Sequence, residues 1–71
     1  MNEQLDRAAM NYPILQFFKC GHLPANLQKV SQPFAELAII LARAPRNAET
    51  SAGLRHLVEA KDCAVRAALA R

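Results

Sequence analysis

The sequence predicts an all-α fold: a short N-terminal segment or helix, then an antiparallel helical hairpin. Three observations carry that expectation. Two long stretches rich in Leu and Ala lie either side of Pro45-Arg46-Asn47. Apolar residues in the second recur three and four apart, the period of a helix face. No stretch of useful length alternates with the period of a strand.

Residues 1–17 form the N-terminal arm or short helix. Asn2 is a candidate cap, with Glu3 and Asp6 well placed in the first turns. Tyr12-Pro13 ends any such helix, because the residue before proline avoids the α region. Ile14 to Phe18 is an apolar cluster whose two phenylalanines are expected in the core. Cys20 to Pro24 reads as a turn. Gly21 there is expected to adopt a φ other residues avoid, and Pro24 to set the helix start.

The first hairpin helix is expected over residues 24–44, kinked near Pro33. Proline has no N–H to donate and crowds the preceding turn. Either the helix bends there, or Ser31 caps a fresh helix with Pro33 in its first turn. From Ser31 to Ala44 only Glu36 and Arg43 are charged, so this helix is apolar almost all round. Such a helix must be covered on more than one side. One partner helix covers one side, so further copies of the chain are expected to cover the rest in a symmetric oligomer.

The second helix is expected over residues 48–70, capped by Asn47 and helped by Glu49 at its positive end. Gly53 weakens it by roughly 1 kcal/mol relative to Ala, and so marks a possible close backbone approach. Leu54, Val58, Lys61, Val65 and Ala68 make one stripe, with Lys61 the only cation in an apolar row. Leu57, Ala60, Ala64 and Ala67 make a second stripe of mostly small residues. Arg55, Glu59, Asp62 and Arg66 occupy a charged face spaced for weak intrahelical pairs.

Composition narrows the function. A 71-residue chain holds a single small helical domain, residues 1–71. At this size a core rarely yields more than about 3–5 kcal/mol, and a staple is usual. Cys20 and Cys63 permit at most one bridge, and with His22 and His56 they complete no zinc spacing. Cys63 reads as a small buried hydrophobe. No disulfide, metal or cofactor is expected, which leaves oligomerisation as the staple. Nine Lys/Arg against six Asp/Glu, net +3, suit a small anion better than duplex DNA. No membrane-spanning run and no secretory signal is apparent, so a cytoplasmic protein is the default. No nucleophile–base pair, Gly-rich phosphate loop or carboxylate pair argues for an enzyme.

The candidate ligand-binding residues are His22, Arg55, Lys61 and Arg66. Each is either a plain surface or core-rim residue or a donor to phosphate. For Lys61 the plain reading is a stem laid on the core with its head in water. Arg66 has the fork of donors for bidentate contact with phosphate. Tyr12, Phe17 and Phe18 are possible stacking surfaces for a base, although core packing is the expected fate of both phenylalanines.

The run His22-Leu23-Pro24-Ala25-Asn26-Leu27-Gln28-Lys29-Val30-Ser31-Gln32-Pro33-Phe34 resembles small phage proteins with an HLP…LQ.VS.PF pattern. So do Pro45 to Thr50 and Leu54 to Arg66, and the layout is similar to the hairpin domain of phage anti-CBASS and anti-Thoeris nucleotide sponges. Gly21 stands where those proteins often carry Tyr before the His. The resemblance implies a symmetric homo-oligomer, typically a hexamer, acting in the infected bacterial cytoplasm. It implies capture of cyclic di- or trinucleotide immune signals, without cleavage, in pockets shared between subunits. The alternative is an oligomeric helical protein that docks on and inhibits a host defence complex.

Overall fold

The computed structural model describes residues 2–70. It is all-helical: α1 (Asn2–Ala9), a 3₁₀ helix (Pro13–Phe18), α2 (Ala25–Leu41) and α3 (Ala48–Leu69), with no strand among the described residues. At 1.5 Å per residue α3 is about 33 Å long, and it sets the long axis of a molecule measuring 38 × 23 × 15 Å.

The N-terminal segment is a packed short helix rather than a loose arm. Leu5 of α1 is fully buried, as are Leu15 and Phe18 of the 3₁₀ helix. With Tyr12 they meet Ala35, Ala38 and Ile39 of α2 and Leu54 of α3 in one core. The expected Asn2 cap concerns a side chain outside those described. Proline at the head of the 3₁₀ helix and the bond from Leu15 N–H to the Tyr12 carbonyl (2.9 Å) start that tight turn. Arg46, from the link between α2 and α3, lies 5.7 Å from the Tyr12 ring centroid. This cation–π contact ties the N-terminal corner to the interhelical link.

α2 runs unbroken through Pro33. Ser31 is therefore no fresh cap; it lies mid-helix, 2% exposed. Pro33 leaves the Lys29 carbonyl without its intrahelical donor, and Lys29 is exposed, so water can satisfy it. α2 ends at Leu41, short of the expected residue 44. Arg43 and Ala44 tighten into i→i−3 turns, because Pro45 keeps Ala44 out of the α region. Residues 42–47 then return the chain so that α3 packs on α2. Asn47 caps α3 as expected, accepting from Thr50 N–H at 2.9 Å, while the Thr50 hydroxyl donates to the Pro45 carbonyl at 2.7 Å.

Three local expectations are corrected. No glycine among the described residues has positive φ, so Gly21 turns the chain with an ordinary backbone. A Cβ at Gly53 would meet nothing within 4 Å, so within one chain no backbone approaches it closely. Cys63 is exposed and Cys20 is the buried thiol; both are free.

The apolar all-round character of α2 also has a fuller answer than one partner helix. α3 covers one side, and α1 with the 3₁₀ helix covers another. What stays wet is narrower: Leu37 at 46% exposed and Ile40 at 58%, one turn apart.

Leu54 is the only residue of α3 that is fully buried, so Leu54→Ala is expected to cost about 2–5 kcal/mol in urea unfolding. Gly53→Ala is expected to stabilise the chain by about 1 kcal/mol; a loss instead would place a close neighbour from another copy at Gly53.

Candidate functional site

The core occupies the half of the helix pair nearest the interhelical link, where Leu54 meets Ala35, Ala38 and Ile39. Beyond Leu54 no residue of α3 is fully buried. At that less filled end a cleft of 210 Å³ opens, lined by Phe17, Lys19, His22, Leu23, Ser31, Lys61, Asp62, Val65 and Arg66. Three segments converge on it from separate parts of the sequence: the end of the 3₁₀ helix with the following turn, the middle of α2 and the last turns of α3.

Each side chain arrives for a physical reason. Lys61 shares the stripe of Leu54, Val58 and Val65, so its stem lies along the seam between α2 and α3 and is only 15% exposed. Its ammonium meets the Asp62 carboxylate at 2.8 Å. Arg66 stands one turn beyond Asp62, and its Nη2 donates to the Cys63 sulfur at 3.4 Å. It has no carboxylate partner among the described residues. Its place in the last turn of α3 also suits the negative end of that helix. His22 is exposed in a turn held to α2 by Gln28, whose side-chain amide donates to the Leu23 carbonyl at 2.6 Å. Lys19 follows the 3₁₀ helix and is ion-paired with Asp6 of α1. Ser31 is buried, and its hydroxyl has no hydrogen-bond partner among the described residues. A serine inside a helix often donates back to the carbonyl four residues earlier; this one leaves a polar group unspent beside the cleft.

Lys19, Lys61 and Arg66 line the cleft; Asp6 pairs with Lys19 and Asp62 with Lys61, which leaves Arg66 as the cation without a carboxylate among the described residues. Phe17 adds an aromatic wall at 56% exposure. Cations beside an exposed aromatic face are the two elements a phosphate-linked base requires.

Three of the four residues singled out from the sequence, His22, Lys61 and Arg66, line this cleft. Arg55 does not. It shares the helix face of Asp62 but lies seven residues earlier, about 10 Å along the axis. The charged face of α3 also pairs differently from its spacing: the pairs are His56 with Glu59 and Lys61 with Asp62. Contrary to the expected burial of both phenylalanines, only Phe18 is in the core. Tyr12 is buried under the core and offers no face for stacking. Sequence spacing gave no sign of Lys19, Ser31 or the Gln28 brace. These come together only through the fold of the N-terminal segment, although the exposed phase of Phe17 next to Phe18 is what a tight turn dictates.

No cluster of His, Cys, Asp and Glu able to hold a metal occurs among the described residues. No described helix is long and apolar enough to cross a membrane. No family model, curated protein or solved structure matches the chain.

Because the Lys61–Asp62 pair is partly solvated, it is worth under about 1 kcal/mol. Lys61→Met keeps the buried stem and is expected to leave stability within that range in urea unfolding. A loss above about 2 kcal/mol would make the ammonium a structural group rather than a spare donor.

Proposed function

We propose that this protein is a non-enzymatic binding protein that captures cyclic di- or trinucleotides, as a sponge, in a homo-oligomer. The observation that carries the reading is the convergence of Lys61, Arg66 and His22 with the exposed Phe17 ring in one cleft. Phosphate would be met by Arg66 in a bidentate fork and by Lys61 as a point charge. A base would lie on Phe17. No residue in the cleft is arranged as a nucleophile with its base, which suits stoichiometric capture rather than turnover.

Size supports a shared pocket. At 210 Å³ the cleft is below the usual range of about 300–1,000 Å³ for small-molecule sites. One chain has room for a phosphate and part of a base; a second copy would supply the remaining walls. Leu37 and Ile40 are an exposed apolar pair available for that contact, alongside the exposed Met10 and Leu69. A bend of α2 at Pro33 belongs to the same reading, since the missing hydrogen bond there loosens the helix just before Leu37 and Ile40. A hexamer acting in the cytoplasm of an infected bacterium is the form that the resemblance to phage sponges implies.

Isothermal titration of the assembled protein with a panel of cyclic di- and trinucleotides tests this. Saturable heat is expected with at least one of them. Arg66→Gln and Lys61→Met should each weaken binding about tenfold, the loss of one charge-assisted contact, while Arg55→Gln changes it less than about twofold. Absence of heat with every member overturns the proposal. Sedimentation at micromolar concentration should show an oligomer that Ile40→Glu converts to a folded monomer. A native chain that sediments as a monomer and associates only with another protein would instead favour the inhibitor reading, in which Leu37 and Ile40 dock on a defence complex.

A further inference from the structure

A second depression, of 320 Å³, lies between α1 and the end of α2. Arg7, Arg43 and the amide of Gln4 line it over an apolar floor of Ala8, Ile39 and Ala42. No carboxylate among the described residues lines it. Neither arginine forms an ion pair among the described residues, although Glu3 and Glu36 lie on the same two helices. The two guanidinium groups come from different elements, Arg7 from α1 and Arg43 from just beyond the end of α2, and both residues are exposed. Two like charges held in one depression repel each other, and a shared counterion removes that cost.

We propose that this depression binds the phosphate group of a small soluble ligand, a phosphomonoester or inorganic phosphate. A planar carboxylate is satisfied by one guanidinium fork. A phosphate dianion presents three terminal oxygens, enough for both arginines and the Gln4 amide together. The apolar floor suits the carbon skeleton of the ester rather than a second charge. The site is independent of the Lys61–Arg66 cleft and stands whether or not that cleft binds a cyclic nucleotide.

Amide NMR of the full chain, titrated with inorganic phosphate and separately with ribose 5-phosphate at constant ionic strength, decides the question. Saturable shifts with either probe are expected around residues 4–8 and 39–43. Arg7→Gln and Arg43→Gln should each weaken that response about tenfold, while Arg66→Gln leaves it within twofold. Circular dichroism checks folding. Should Arg7→Gln unfold, Arg43→Gln decides alone, because Arg43 is exposed and beyond the end of α2. Shifts spread over the whole basic surface, no saturation, or indifference to a folded arginine variant overturns the site. Binding to phosphatidic acid vesicles without any response to the soluble probes overturns the assignment to a soluble ligand.

Discussion

The structure depends on the docking of the N-terminal segment against the helix pair. α2 and α3 alone would leave α2 with too little cover, because its sequence is apolar around most of its circumference. Leu5, Leu15 and Phe18, all fully buried, supply the second cover and complete a core with Ala38 and Leu54. The alanines of α2 matter here. Ala35 and Ala38 are fully buried, and their small side chains let neighbouring elements approach closely. Arg46 over Tyr12 ties the segment to the interhelical link, while Lys19 with Asp6 joins the segment's own two ends.

That docking also decides where open space remains. The N-terminal segment fills the half of the helix pair near the interhelical link, and the opposite half of α3 carries no fully buried residue. The cleft with Lys61 and Arg66 occupies this unfilled end, with Phe17 and Lys19 at its border because the 3₁₀ helix stops there. The second depression arises from the same packing at another edge, where α1 meets the end of α2. Both concavities are by-products of one short element laid on two long ones, and both are lined by cations in a chain of net charge +3.

Residue patterns near the α3 seam were readable because a helix converts spacing directly into faces. Leu54, Val58, Lys61, Val65 and Ala68 share a stripe in the sequence and turn toward the rest of the fold in the structure. The Asn47 cap and the stop before Pro45 are equally local, since each needs only neighbouring backbone. Arg55 stands apart from the cleft for the complementary reason. A helix face is long, and sharing a face with Asp62 says nothing about sharing a cleft. Cys63 looked like a core residue by type, yet it falls between the stripes and stays exposed.

By itself the sequence determined the helical class, the two long helices, the turn between them and the cationic character of the last turns of α3. These follow from propensity, capping and periodicity, all set by residues within a few positions of one another. Only the tertiary structure decided that residues 2–18 form packed helical turns, that Phe18 goes inside while Phe17 stays out, and that Lys19 and Ser31 join Lys61 and Arg66. It likewise decided that Arg7 and Arg43 line one depression. These are contacts between residues far apart in the chain, and they depend on which surfaces bury the most apolar area together, a quantity no local pattern contains.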